Sequence, residues 1–323
     1  MIVAGLLAGL GLATIIAPAR GAVIPIFVVA GQSNATGYDS NAGQLPALWQ
    51  ASQPNVLYAG EQDNAVNWNN LTAPTEPSSF GRIFQNLAGF GPELSLGKTI
   101  SDGLPGTPTV GIVKYSQNGA NLANGFDNFN AGWAPTPVDP FTQANIYTYM
   151  KNRVNTSLTV LPQQKPGVTG KVSAFFWMQG EADAAQGRTT AQYQQDLINF
   201  IAQVRIDFND PKLPFIFGLI NNADVVETGS GPIEVSGAGS AAIRRAQVNV
   251  ANLIPNAFLV NTDGFERMSN DIIHFDSVGE LQLGTAFANA YLTSTPEPAS
   301  LALLPLAAVM LGRRARRTRA VQA

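Results

Sequence analysis

The sequence predicts an α/β fold, a largely parallel sheet with helices on both faces, and three observations carry that expectation. Short apolar runs recur along the chain, helical stretches separate them, and 323 residues at 45% hydrophobic content are enough to bury a sizeable core. The runs are Ile24 to Ala30, Thr109 to Tyr115, Val172 to Met178, Phe215 to Ile220 and Ala257 to Val260. Each is short and apolar enough to be a strand buried on both sides. Helices are expected over Gly91 to Ser101, Gln143 to Leu161, Thr190 to Phe208, Ser240 to Leu253 and Val278 to Leu292. In the third, Leu197, Phe200, Ile201 and Val204 fall at helical spacing and should face the sheet. The Gly-, Asn- and Pro-rich segments Asp39 to Phe80 and Asn118 to Pro140 have too few periodic apolar positions for regular elements and read as surface loops. No repeat or linker divides residues 23–293, which read as one domain.

The two ends read as addresses. Ile2 to Ala17 is almost wholly apolar, and the small residues from Ala17 to Ala22 offer a cleavage site, so 1–22 is expected to be a secretory signal. The alternative is a buried first helix, because no Lys or Arg precedes the run. At the other end, Pro296-Glu297-Pro298 leads into apolar Ala299 to Leu311 and then Arg313, Arg314, Arg316, Arg317 and Arg319. The apolar stretch is shorter than the ~20 residues that span a bilayer comfortably. A turn, an apolar helix and an arginine block in that order are similar to a PEP-CTERM sorting tail, and the basic block suits a cytoplasmic end. That resemblance implies transient membrane association through residues 294–323 and removal of the tail by a sorting protease of the exosortase type. It also implies an exported protein, at the surface of or outside a Gram-negative bacterium that makes exopolysaccharide.

Composition excludes several chemistries. There is no cysteine, so disulfides, thiolate metal sites and thiol nucleophiles are absent. The one histidine, His274, rules out a metal site needing two imidazoles and leaves carboxylate and carbonyl ligation as the only metal chemistry available. The net charge is -3; five of the 19 basic residues and Glu297 lie in the tail and Arg20 in the leader, which leaves 13 basic and 21 acidic residues in the body. A body near -8 disfavours nucleic acid as a partner.

Four places carry chemistry. The first strand runs into Gly31-Gln32-Ser33-Asn34, which puts Ser33 at the carboxyl end of a strand, where open α/β sheets bind ligands. A serine there is a candidate nucleophile, and equally a candidate helix N-cap. The G-x-S-x-G elbow is missing at this place. A serine needs a base, and only His274 can serve; in Asp271-Ile272-Ile273-His274 a carboxylate three residues upstream can orient the imidazole. The alternative is a capping or surface histidine. Lys114-Tyr115-Ser116-Gln117-Asn118-Gly119 leaves a strand through a glycine whose N–H can approach an acyl oxygen, or which simply makes a turn. Trp177-Met178-Gln179-Gly180-Glu181-Ala182-Asp183 leaves another, with an amide able to donate to an oxyanion. Its two acids fit a turn or helix start better than the spaced pair of a glycosidase.

Taken with Phe90-Gly91-Pro92-Glu93, these motifs resemble in order the sialate O-acetylesterase domain family of the SGNH hydrolases, over about residues 24–292. The resemblance implies a three-layer α/β/α, flavodoxin-like fold and metal-independent removal of acetyl groups from sugars, with an acetylated carbohydrate as substrate. Carried over by residue, it makes Ser33 the nucleophile, His274 the base and Asp271 its partner. The N–H groups of Ser33 and Gly119 and the side chain of Gln179 would form the oxyanion hole. Gln32, Asn34, Glu93, Asn118 and Glu181 would support the site or the substrate, with Asn118 standing where the family more often has a smaller residue. Two other readings stay open: a non-catalytic exported carbohydrate-binding or matrix protein, and a lipase or thioesterase of the wider SGNH group.

Overall fold

The computed structural model describes residues 21–60, 65–75, 88–123, 132–135, 145–222, 225–228, 231–234, 238–269, 271 and 273–294. The expected leader up to residue 20 and the expected sorting tail from residue 295 lie outside the described residues, as do parts of the two segments read as loops. In chain order the elements are β1 (Ala22–Gly31), α1 (Ser33–Thr36), a 3-10 turn (Ala42–Gln44), α2 (Ala47–Gln50), β2 (Gln53–Ala59), β3 (Asn69–Leu71), α3 (Glu93–Gly103), β4 (Val110–Ser116), α4 (Ile146–Gln164) and β5 (Val168–Met178). They continue with α5 (Glu181–Ala185), α6 (Thr190–Asp207), β6 (Phe215–Gly218), the hairpin β7 (Val225–Thr228) and β8 (Gly231–Glu234), α7 (Ala238–Leu253), β9 (Ala257–Val260) and α8 (Ser277–Ser294).

Seven strands form one sheet in the order β3-β2-β4-β1-β5-β6-β9, and only β3 runs antiparallel to its neighbour. The sequence expectation of a mostly parallel sheet with helices on both faces therefore holds. Residues alternate between the faces of β5 as a strand requires. Phe176, with Phe27 of β1, packs towards Phe287 and Tyr291 of α8, whereas Phe175 and Trp177 pack against Phe200 of α6. Leu197, Phe200, Ile201 and Val204 are all buried, as their spacing predicts.

Local chemistry sets the helix starts. Thr189 and Gln192 form a reciprocal capping box ahead of α6, and Asn145 accepts from the Thr148 N–H to begin α4 three residues later than expected. The fourth expected strand, read as reaching Ile220, stops at Gly218, and the N–H of the next residue, Leu219, donates to the Val260 carbonyl.

The reading of Asp39 to Phe80 as loop is corrected by a 3-10 turn, α2, β2 and β3 within it. In β2 only Val56, Leu57 and Ala59 are buried apolar residues, behind the polar start Gln53-Pro54-Asn55. Four residues are too few to show a period. What makes them a strand is the row of backbone groups offered by β4, which pairs Val56 to Ala59 with Val110 to Val113.

β1 lies between β4 and β5. The chain leaves β1 for one side of the sheet and, after β4, crosses to the other, so the carboxyl ends of β4, β1 and β5 frame a topological switch point, the place where open sheets take ligands. Gly31 closes β1 there with φ of +143°, and a Cβ on it would stand 2.0 Å from the Met178 carbonyl oxygen. Gly31→Ala is expected to lower unfolding free energy by at least ~2 kcal/mol in urea denaturation, through backbone strain and this clash.

Candidate active site

Three segments far apart in sequence meet at that edge. Ser33 is the first residue of α1, straight after β1, and its Oγ lies 2.8 Å from Nε2 of His274. His274 Nδ1 is 2.5 Å from Asp271 Oδ2. The other oxygen of Asp271 accepts the Ile273 N–H at 2.8 Å and the His274 N–H at 3.1 Å, so the carboxylate is gripped by the same short loop that carries the imidazole. With Nδ1 donating to Asp271, Nε2 is left as the acceptor that faces the hydroxyl. Ser33 is 4% and His274 6% exposed. Gln32, not Ser33, occupies the N-cap position of α1, and no side chain caps that helix. The Ser33 hydroxyl faces the imidazole instead.

Asn34 joins the serine turn to the histidine loop. Its Oδ1 accepts the Phe275 N–H at 3.0 Å, and its Nδ2 donates to the Ile273 carbonyl at 3.1 Å and to Glu181 Oε1 at 2.8 Å. The two residues flanking His274 are thus held by the side chain that follows Ser33. Glu181 fixes which way that amide points. Burial raises the pKa of Glu181, against the lowering influence of its hydrogen bonds and of His274 and Arg267.

The Ser33 and Gly119 N–H groups have no acceptor among the described residues, so both are available to an oxyanion. Gly119 is exposed with φ of +66°, and the half-buried Asn118 beside it leaves its Oδ1 without a partner among the described residues. The structure departs from expectation at Gln179. Its side chain is wholly buried, and Nε2 donates to Asp183 Oδ2 at 2.6 Å, with Ala120 O and Gln32 Oε1 at 3.2 and 3.3 Å. Both amide hydrogens are engaged internally, because a buried amide must satisfy them, and none is left for an oxyanion. Gln179 is a brace under the Gly119 loop.

Gln32 is a second brace: its Oε1 accepts from the Gly180 and Ala182 N–H groups at the start of α5. Glu93 lies behind the site, wholly buried, with Oε2 2.9 Å from Lys114 Nζ and Oε1 accepting from the Gly91 N–H and the Thr75 hydroxyl. Lys114 also donates to the carbonyl of Thr36, the last residue of α1. A buried pair of this kind depends on further hydrogen bonds, here those to Glu93 Oε1 and from Lys114 to Thr36, and it holds α1 from behind. Asp183 is wholly buried and accepts the Leu122 N–H at 2.8 Å, so Glu181 and Asp183 are separate supports. A spaced glycosidase pair is not what they form.

Sequence reasoning passed over Tyr38 and Asp39. The Tyr38 ring lies 4.6 Å from the imidazole, centroid to centroid, and Asp39 Oδ2 stands 3.6 Å from His274 Nδ1. Both sit in a turn with no periodicity or motif to mark it. Asp39, Asp271 and His274 are also the described residues whose metal-ligating atoms come together, within 4.8 Å of one another, but the imidazole nitrogen involved is the one held by Asp271.

A family model for carbohydrate esterase, sialic acid-specific acetylesterase, matches residues 23–293. The chain belongs to that family. It is 27% identical over 125 residues to the probable carbohydrate esterase At4g34215 of Arabidopsis thaliana, a match covering 39% of this chain and 42% of that protein. The chain thus spans about two-fifths of the length of the curated relative it matches. Among solved structures, the Arabidopsis thaliana protein AT4G34215 superposes with a TM-score of 0.58 at 19% identity, over 84% of this chain and 98% of the other. NanS does so at 0.57 and 15%, over 85% and 98%, and the carbohydrate acetylesterase XAC1771 of Xanthomonas citri at 0.53 and 17%, over 82% and 55%. These likenesses show that the esterase family member shares its neighbours' fold.

The carboxylates of this esterase family member respond to acid in opposite senses. Burial raises the Asp271 pKa, but the His274 ring and the two loop N–H groups outweigh it and bring the carboxyl from 3.8 down to about 2. Asp183 is pushed the other way, to about 6, by burial that its hydrogen bonds and Arg188 only partly offset. Because the Asp271 pKa is depressed on folding, its contribution to stability is fully present above about pH 4 and is lost as pH falls towards 2. Asp183, raised on folding, contributes in the opposite direction, favouring the fold as pH falls from about 6 to 4. In urea denaturation Asp271→Asn is expected to flatten the loss of stability between about pH 4 and 2 and to leave the Asp183 limb in place.

Proposed function

We propose that this chain is a serine-dependent carbohydrate O-acetylesterase. The observation that supports it best is the continuous line Ser33 Oγ, His274 Nε2, His274 Nδ1, Asp271 Oδ2, with spacings of 2.8 and 2.5 Å, in a member of a carbohydrate esterase family.

In this reading His274 Nε2 takes the Ser33 proton as Oγ attacks the acetyl carbonyl, and the imidazolium that forms is stabilised by Asp271. The N–H groups of Ser33 and Gly119 hold the tetrahedral oxyanion. Collapse breaks the bond to the sugar oxygen, which leaves with the proton from Nε2. A water molecule then gives its proton to Nε2 and attacks the acetyl-Ser33 carbonyl. The second tetrahedral species expels Oγ, which regains the proton, and acetate departs. The substrate class follows from the family: an acetylated carbohydrate.

Export to the cell surface or beyond belongs to the same proposal. It is supported by the apolar leader and by the ordered Pro-Glu-Pro, apolar and arginine segments of the tail, with an exosortase-type protease as the partner that processes it.

The test is acetate release from an aryl acetate and from a panel of acetylated sugars, with chelator present. Wild type should release acetate, and Ser33→Ala should lower kcat by ~10³-fold or more while keeping the wild-type melting profile. Release from long-chain acyl esters or thioesters in preference to acetyl sugars would favour the SGNH lipase or thioesterase reading. Sugar binding by a folded wild type that cleaves no ester would favour the matrix protein.

A further inference from the structure

Asp39 lies on the turn that leaves α1, six residues after Ser33, and its side chain is 15% exposed. Its Oδ2 stands 3.6 Å from His274 Nδ1, the ring nitrogen that Asp271 already holds at 2.5 Å. The other oxygen of Asp271 is occupied by two backbone N–H groups, so that carboxylate cannot swing away from its neighbour. The Tyr38 ring, 4.6 Å from the imidazole, covers one face of it from the same turn as Asp39. Two carboxylates therefore face one nitrogen of a buried imidazole, with ligating atoms of all three groups within 4.8 Å of one another.

Two anions at that spacing repel, and a neutral imidazole beside them relieves little of the repulsion. When the imidazole takes the serine proton, a cation appears next to both. Any interaction stronger with the imidazolium than with the neutral ring lowers the barrier rather than only tightening the ground state. At 3.6 Å Asp39 is beyond a good hydrogen bond and acts through its charge. We infer that Asp39 is a second carboxylate partner of His274, a positioning residue that, with Asp271, stabilises the imidazolium formed during ester cleavage. The catalytic half of this inference rests on the acetylesterase reading. The electrostatic half does not.

Several of the described groups face His274. Asp271 and Asp39 lie at Nδ1, Ser33 of α1 at Nε2 and the Tyr38 ring on one face, while Glu181 of α5 couples to the ring at longer range and is itself coupled to Arg267. Removing the Asp39 charge leaves the imidazolium less stable. The His274 titration midpoint should then move down, the acid limb of kcat/KM should move down with it, and the plateau rate should fall.

The chain has one histidine, so the full-length protein without a histidine tag gives a single imidazole signal that can be titrated by NMR without any assay of activity. In Asp39→Asn the midpoint is expected to drop by about half to one pH unit, and kcat on an aryl acetate by about 5- to 20-fold with KM little changed. Asp39→Ala should move both in the same direction, which separates loss of charge from any bond made by the new amide. In the Asp271→Asn background a further drop of the midpoint on adding Asp39→Asn is expected. An unmoved midpoint in both Asp39 variants, whatever their rates, overturns the inference, because a purely structural role would change stability or rate without changing the titration. If wild type cleaves no ester, the acetylesterase reading fails, and the midpoint still decides whether Asp39 acts on the imidazole.

Discussion

The 2.8 Å contact between Ser33 and His274 joins residues 241 positions apart, and the rest of the site is arranged to keep it at that length. Neither partner sits in a long element. Ser33 opens a four-residue helix, and His274 belongs to a loop between β9 and α8. Short pieces of chain have little intrinsic rigidity, so their relative position has to be imposed from outside. Asn34 does this directly: one side chain engages the backbone on both sides of His274, and the turn that carries Asn34 also carries Ser33. The same amide answers to Glu181, so α5 is tied into the joint as well.

Behind that joint lies polar material where an α/β core usually has none. Lys114 and Glu93 are both wholly buried, and the ammonium reaches the carboxyl end of α1. Gln32, Gln179 and Asp183 form a second buried set that ties the end of β5 to α5 and to the loop after β4. Apolar packing is tolerant of small slips, whereas a buried polar group left without its partner costs the full desolvation of that group. These networks allow fewer arrangements than an apolar core would. That is a reason for placing them under the candidate active site and keeping the aromatic cluster around Phe175, Trp177 and Phe200 for the interior. The raised pKa of Asp183 and the depressed pKa of Asp271 are consequences of the same division: one carboxylate is enclosed, and the other is answered by a histidine.

The five strands with continuous apolar runs and all five long helices were legible in the sequence, because each carries enough periodic or apolar positions to declare itself locally. β2 was not, since its three buried apolar residues follow a polar start and become a strand only by pairing with β4. The site divides along a similar line. Ser33, Asp271 and His274 stood out because one histidine in the chain leaves one candidate base, and because motifs at strand ends fall on the ligand-binding edge. Gln179 also stood out, but sequence shows only that an amide is present at that edge. Whether its hydrogens face the solvent side or the interior depends on Asp183 and the Ala120 carbonyl, which another loop brings to it.

From the residues alone came the class of fold, the absence of thiol and multi-histidine metal chemistry, and the identity of the candidate triad. Those properties depend on composition, on periodicity within short windows and on residue types at strand ends, all of which are local. Tertiary structure decided that Asn34 is the tie between the two halves of the site, that Gln179 is a brace, and that Asp39 and Tyr38 stand against the imidazole. The first and last of these are distances between groups from segments that no sequence window contains, set by the order of strands in the sheet; the brace depends on which buried polar atoms found partners, Asp183 four residues away and the Ala120 carbonyl from the loop after β4.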